Sequence, residues 1–355
     1  MKKIVAIVMV LVLILACCAG LSSCEEKGGN SYVGAGSGGG SSSKPSSNKN
    51  NGTTKKDPSF LATDASDFKD VSSDTDIKSN AIILVDVTDN KVIAGANVDA
   101  KIYPASMTKV MTLLVACENI KDKSALLTVT ADMVAKYSKT SGASIAFPWE
   151  EGYQVTVEDA LHLVIYESDT YACWLLAEYV SGSEEKFVEK MNKKAEYLCL
   201  TSTNFTNCTG LFNENHYTTC REMAAIMAAA MSNELAETVL TSKDLYTVDI
   251  HKGGKKVEEQ GMWSGWYTGR LEAYRLANTA AKYVGGGSDV MITAGKTGYE
   301  EVPKNCFVTA AENDITGRKY VCVQVGRTDS SQETVTSKQS TDDTRTIYRK
   351  YAIDD

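Results

Sequence analysis

Tyr103-Pro104-Ala105-Ser106-Met107-Thr108-Lys109-Val110-Met111-Thr112 is the stretch on which the reading of this chain turns. An extended, proline-marked segment gives way here to a helical pattern, with Met107, Val110, Met111, Leu114 and Val115 at helical spacing. Residues three apart share one helix face, so Ser106 and Lys109 can touch. A serine hydroxyl is a weak nucleophile until a neighbouring base takes its proton. A lysine serves as that base when burial and a nearby cation push its pKa below the ordinary value. The start of the helix adds unpaired N–H groups that suit a developing oxyanion.

The spacing alone is common. Ser41/Lys44, Ser46/Lys49, Ser66/Lys69 and Ser183/Lys186 repeat it. The first two lie in a Gly/Ser-rich stretch, Ser66 belongs to a polar lead-in, and Ser183 reads as a helix cap. Ser106 gains its meaning from the rest of the chain.

Downstream, Ala81 to Val87 and Val92 to Gly95 read as a hairpin around Thr88-Asp89-Asn90-Lys91 that feeds the Ser106 segment. Thr156-Val157-Glu158-Asp159 marks a helix start, and that helix runs to about Glu167. Ser168-Asp169-Thr170 then breaks it before a second apolar helix, about Tyr171 to Val180, so Ser168 can be presented to a cleft. Helices over about Glu184 to Leu198 and from Cys220 follow. From Thr238 onward the pattern predicts strands, among them Tyr246 to Ile250, a strand through Val290 to Tyr299, and the pair Cys306 to Ala311 and Lys319 to Val325. A last helix covers about Thr334 to Tyr351. Strands at both ends with helices between predict an α/β chain of the α+β type: one antiparallel sheet flanked by helices, with an inserted helical lobe.

The whole chain has 355 residues, of which 43% are hydrophobic and 23% charged, enough for a sizeable core. A formal charge of −8 argues against nucleic acid as a partner. Met1-Lys2-Lys3 and the apolar run Ile4 to Ala16 read as an export signal, too short for a membrane span. Residues 24–59 are Gly, Ser, Asn and Lys with few large apolar side chains, which predicts a flexible tether of about 30 Å mean span. The catalytic unit is expected over 60–355. Of ten cysteines, seven lie in that unit, and no CxxC pair occurs among them. No metal site or cofactor is expected. Most of the seven sit in apolar patterns and read as buried thiols, with one or two disulfides as the alternative.

Ser106-x-x-Lys109, Ser168-Asp169-Thr170 and Lys296-Thr297-Gly298 stand in order, with Val157-Glu158-Asp159-Ala160-Leu161, Gly210-Leu211 and His216-Tyr217-Thr218-Thr219 between them. Together they resemble the serine D-alanyl-D-alanine carboxypeptidases of the penicillin-binding protein and β-lactamase superfamily, over roughly Phe60 to Tyr351. The resemblance implies a D,D-peptidase fold and a set of roles. Ser106 is the nucleophile, Lys109 its base, and Ser168 the relay to the leaving amine. Lys296 also helps keep Lys109 neutral. Lys296, Thr297, Gly298, Thr170 and Arg327 bind substrate, and the backbone N–H groups of Ser106 and Tyr299 form the oxyanion hole. It implies peptidoglycan stem peptides ending in D-Ala-D-Ala as substrate and β-lactam antibiotics as acylating inhibitors. The second motif usually ends in asparagine; Thr170 stands there instead, which puts substrate positioning in doubt. A β-lactamase and a non-catalytic penicillin-binding sensor are the competing readings.

Leu21-Ser22-Ser23-Cys24 resembles a bacterial lipobox. It implies a signal peptide over 1–23, cleavage before Cys24, and lipid on Cys24. The protein is then extracytoplasmic and held to the cell membrane by acyl chains, in place of the C-terminal anchor that many relatives carry. His162 and His216 read as packing or turn-holding residues and His251 as exposed. Trp263 and Trp266 read as core rather than cleft rim.

Overall fold

A computed structural model describes residues 67–242, 246–262, 284–326, 328, 333 and 335–352. These lie in one compact unit, Lys56–Asp355. The proposed signal, Cys24, the tether, Trp263, Trp266 and Arg327 lie outside the described residues.

The elements of the main sheet are β1 (Lys69–Asp70), β2 (Ala81–Asp86), β3 (Lys91–Ala96), β8 (Val290–Glu300), β9 (Lys304–Asn313) and β10 (Lys319–Val325). Their order is β1-β3-β2-β10-β9-β8. All neighbours are antiparallel except β1 with β3. β2 is buried along its whole length because both of its faces are covered. Ile82 and Leu84 join Phe307 and Tyr320 in a core with Ile347 and Tyr348 of the last helix. Ile83 and Val85 join Val308, Val321 and Val323 in the core shared with the helical lobe. This two-sided burial explains why Ala81–Asp86 carries a continuous apolar run in place of alternation.

Eight α-helices are described: α1 (Thr108–Asn119), α2 (Ala131–Tyr137), α3 (Val157–Tyr166), α4 (Thr170–Ser181), α5 (Glu184–Tyr197), α6 (Cys220–Met231), α7 (Glu234–Thr241) and α8 (Ser337–Tyr351). α1 is the hub of the lobe. Thr108 through Ala116 are all buried, so it is enclosed on every side. The helix start expected at Thr156 is a capping box: Thr156 accepts from Asp159 N, and the Asp159 carboxylate accepts from Thr156 N.

Two expectations need correction. A second antiparallel sheet exists, ordered β4-β5-β6-β7, from β4 (Leu126–Thr128), β5 (Tyr153–Thr156), β6 (Tyr246–Lys252) and β7 (Lys255–Met262). β4 and β5 are short and find partners far along the chain, so local pattern could not reveal them. β6 and β7 form a hairpin through Gly253 and Gly254, both at positive φ, 60° and 75°. Residues after Thr238 also do not turn at once to strand. α7 runs to Thr241, started by the Asn233 side chain accepting from Ala236 N. The seven described cysteines are all free thiols.

The last helix is tied to the start of the unit by one carboxylate. Asp343 accepts from Lys78 N at 3.0 Å, Ser79 N at 2.6 Å and Ser79 Oγ at 2.6 Å. Removing it strands two backbone donors in a part-buried site. Asp343→Ala is expected to lower stability by about 3 kcal/mol, read as a lower urea midpoint with unchanged slope.

Candidate active site

Ser106 lies in a single 3₁₀ turn, Ala105–Met107, that runs into α1. Ala105 ahead of it is held at φ 48°, a conformation that L-residues avoid. Two glycines press on this turn. A Cβ on Gly210 would fall 1.9 Å from the Ala105 carbonyl oxygen, and Gly210 is itself at φ 84°. A Cβ on Gly298 would meet Cys306 Sγ at 2.6 Å, and Pro104 O and Ser106 N at 3.1 Å. The Cys306 thiol also reaches the Pro104 carbonyl at 3.5 Å. Any side chain at either glycine would move the Ser106 peptide.

One helical turn on, Lys109 is 2% exposed. Its Nζ lies 3.1 Å from Ser106 Oγ and donates to the Thr209 carbonyl at 2.5 Å. Burial lowers its pKa, while the fields of Cys173, Cys208, Asp169 and Glu300 act in the opposite direction. Enclosure is thus the main reason this amine departs from an ordinary lysine.

Ser168 sits between α3 and α4 at φ 57°. Its neighbour Asp169 holds the segment in place. One carboxylate oxygen caps α4 by accepting from Ala172 N at 2.8 Å. The other accepts from Ala146 N at 2.7 Å and Trp149 Nε1 at 2.9 Å. Thr170 N donates to Ser144 O at 2.9 Å. The irregular segment 139–152 is therefore stitched to the helix break.

Lys296 arrives from β8, the edge strand of the main sheet, and is also 2% exposed. Its Nζ donates to Ser168 Oγ at 3.1 Å and to Thr297 O at 2.8 Å. Ser106, Lys109 and Ser168 open into one cleft of about 260 Å³, and Lys296 reaches its edge through Ser168. Thr170, Thr297, Gly298, Tyr299 and Glu300 line it as well. Of the residues singled out from sequence, the structure brings together Ser106, Lys109, Ser168, Thr170, Lys296, Thr297, Gly298 and Tyr299.

A family model described as D-alanyl-D-alanine carboxypeptidase matches residues 68–327, nearly three-quarters of the chain. The chain belongs to this family. Among curated relatives, D-alanyl-D-alanine carboxypeptidase DacF of Bacillus subtilis is 31% identical over 66% of this chain and 54% of its own length. DacC of Escherichia coli is 37% identical over 47% of this chain and 43% of its own length. The chain thus spans about half the length of the curated relatives it matches. The solved Streptomyces K15 DD-transpeptidase shares the fold, with TM-score 0.64 and 22% identity over 78% of this chain and 98% of that one. The Mycobacterium tuberculosis D-alanyl-D-alanine carboxypeptidase gives TM-score 0.58 at 22% identity, over 77% of this chain and 90% of that one.

In this member of the carboxypeptidase family none of the three histidines lines the cleft. His216 is hydrogen-bonded through Nε2 to Thr108 Oγ1 at 2.8 Å, and its Nδ1 accepts from Thr206 N at 3.1 Å. Burial pushes its pKa down to about 4, so it is a neutral brace behind α1. His162 stacks on Tyr246 at 3.7 Å and bonds the Glu158 carbonyl. His251, expected to be exposed, is part-buried on β6, where sheet pairing covers it.

Three contributors were not read from sequence: the Thr209 carbonyl, Asn207 and Glu300. Asn207 Oδ1 accepts from Thr209 N at 3.1 Å and Gly210 N at 2.7 Å, shaping the loop that carries both the Lys109 acceptor and the glycine against Ala105. An asparagine three residues before a glycine is a turn signal that could have marked this loop.

Gly210→Ala is expected to cost about 2–3 kcal/mol, since it adds a backbone clash to an unfavourable φ. Gly182→Ala is the control. Its φ is 75°, yet nothing lies within 4 Å of the added Cβ. It should cost only about 1 kcal/mol. Denaturant midpoints of the two variants measure the difference.

Proposed function

We propose that this protein is a serine-type D-alanyl-D-alanine carboxypeptidase that removes the terminal D-Ala from peptidoglycan stem peptides. The observation that carries the reading is the pair of contacts, Lys109 Nζ to Ser106 Oγ and Lys296 Nζ to Ser168 Oγ, each 3.1 Å, with both hydroxyl residues lining one cleft.

The C-terminal carboxylate of the substrate is held by Lys296 and Thr297, and Arg327 is proposed to add a second cation to that hold. Gly298 leaves room for the substrate backbone, and Thr170 contributes a hydroxyl from the facing wall. Ser106 Oγ attacks the carbonyl of the penultimate D-Ala while neutral Lys109 takes its proton. The tetrahedral oxyanion is received by the backbone N–H groups of Ser106 and Tyr299. Ser168 passes its proton to the nitrogen of the leaving D-Ala as the C–N bond breaks and takes the proton held by Lys109 in its place, leaving an ester on Ser106 and Lys109 neutral again. A water then gives its proton to Lys109 and attacks the ester, and Ser106 regains its hydrogen as the shortened peptide departs. β-Lactam antibiotics acylate Ser106 by the same first step. No metal or cofactor enters this sequence.

In this proposal the enzyme works outside the cytoplasm. Residues 1–23 are a cleaved signal, lipid on Cys24 anchors the chain to the cell membrane, residues 24–59 are the tether, and 60–355 are the catalytic unit. Cys24→Ala is expected to abolish palmitate labelling and move the protein out of the membrane fraction.

The decisive assay is D-alanine release from a short peptide ending in D-Ala-D-Ala, alongside labelled penicillin. Wild type should release D-alanine and carry a stable penicillin adduct on Ser106; Ser106→Ala should do neither. Rapid penicillin hydrolysis would point to a β-lactamase, and absence of both reactions to a sensor. Lys109→Arg keeps a cation but cannot accept a proton, so acylation should slow at least 10²-fold. Because burial depresses the Lys109 pKa, the wild-type acylation rate should rise with pH and level off below 10.5, the ordinary lysine value. A limb rising only above that value would contradict the assigned base.

A further inference from the structure

β8 is the end strand of the main sheet among the described strands, so a bound peptide can lie along its outer edge as an added strand. Successive carbonyls of an extended chain point to opposite sides. In the proposed reaction the carbonyl under attack turns toward the N–H groups of Ser106 and Tyr299, on the β8 side. The carbonyl one residue upstream then points away from β8, toward the facing wall. That wall is where the segment 139–152 meets the start of α4.

Most serine and threonine hydroxyls of the cleft are already engaged. Ser106 meets Lys109 and Ser168 meets Lys296, each at 3.1 Å. Thr209 Oγ1 donates to Asn207 Oδ1 at 3.0 Å, and Ser340 Oγ accepts from Gln324 Nε2. The hydroxyls of Thr297, Thr170 and Ser144 have no hydrogen-bond partner among the described residues. Thr297 belongs to β8; Thr170 and Ser144 share the facing wall.

Ser144 is fixed where it stands. Its carbonyl accepts from Thr170 N at 2.9 Å, which sets the two Cα atoms about 5 Å apart. Two residues on, Ala146 N is held by the Asp169 carboxylate at 2.7 Å. Thr170 is 1% exposed and Ser144 half-buried, and both line the cleft. A carbonyl oxygen has two lone pairs, and a hydroxyl brings one donor. Two neighbouring hydroxyls can therefore satisfy an acceptor that a lone threonine leaves half satisfied. An acceptor taken out of water with a lone pair unmet weakens binding.

We infer that Ser144 is a substrate-binding residue: its hydroxyl joins that of Thr170 in donating to the peptide carbonyl one residue upstream of the one attacked. The inference rests on the carboxypeptidase reading, which directs the attacked carbonyl to Ser106 and Tyr299. It gives a peptide or other acyl-amide with a carbonyl at that place an advantage over one without it.

The test uses two peptides that differ in one atom: Nα-acetyl-Gly-D-Ala-D-Ala, and its counterpart with sulfur in place of the glycine carbonyl oxygen. Sulfur is the weaker acceptor, and every N–H is kept. D-alanine release is measured as kcat/KM for wild type and Ser144→Ala. Wild type is expected to favour the oxygen peptide by about tenfold, two weakened neutral hydrogen bonds. Ser144→Ala should lose about fivefold on the oxygen peptide, one such bond, and less than about twofold on the sulfur peptide. The backbone of Ser144, not its side chain, holds Thr170, and a loss transmitted through the scaffold would strike both peptides equally. An equal loss on both, no loss on the oxygen peptide, or equal wild-type rates for the two overturns the inference. With D-alanine release still abolished in Ser106→Ala, any of these leaves the carboxypeptidase reading standing. If Ser144→Ala does not fold, Ser144→Gly removes the same hydroxyl and is judged by the same two rates. No release from either peptide by wild type would end both.

Discussion

The site depends on a close approach of three backbones at one peptide unit. The Pro104–Ser106 turn is pressed between the loop that ends in Gly210 and the edge strand at Gly298. Neither contact leaves space for a methyl group. The turn keeps Ala105 at φ 48°, which costs about 1–2 kcal/mol and persists only because its neighbours over-determine it. The same loop supplies the Thr209 carbonyl that receives Lys109 Nζ at 2.5 Å. One loop, shaped by Asn207, therefore positions the hydroxyl and the amine together. Displacing it would disturb both members of the pair and the 3.1 Å between them.

Electrostatics completes what packing begins. Two lysines, Lys109 in the cleft lining and Lys296 behind Ser168, are each almost fully enclosed. Burial of Lys109 favours its neutral form, which is the form that accepts a proton. Asp169 sits close enough to oppose that tendency, but three N–H donors occupy its oxygens, and burial raises its own pKa. Its field at Lys109 is thereby moderated. His216 behind the helix is held neutral and adds no competing charge. The arrangement leaves the Ser106 hydroxyl facing an amine whose departure from ordinary lysine is set by enclosure.

What could be read from sequence was what is encoded locally. The hairpin of β2 and β3 follows from an apolar run, a turn and a second run. The Ser106 helix follows from its spacing, and the break at Ser168 from Ser-Asp-Thr between two apolar helices. The Thr156 cap was legible because side chain and backbone three residues apart solve each other's hydrogen bonding. The second sheet was not legible. Leu126–Thr128 is too short to show a period, and its partner Val155 lies in another part of the chain. α7 was overlooked because Asn233 is a weaker signal than the β-branched residues after it. Glu300 was passed over because nothing local distinguishes a cleft-facing glutamate from a surface one. Only the register with β9 and the approach of Gly142 separate the two.

The departure at Thr170 gains a physical reading from the same contacts. The position of the Ser168 segment is set by Asp169, which caps α4 and takes donors from Ala146 and Trp149, and by the Thr170 backbone N–H on Ser144. None of these bonds uses the Thr170 side chain. An amide or a hydroxyl there would leave Ser168 in place against Lys296. A threonine hydroxyl is shorter than an asparagine amide and is a single donor–acceptor group. Its effect is therefore confined to the lining of the cleft and leaves these scaffold bonds as they are.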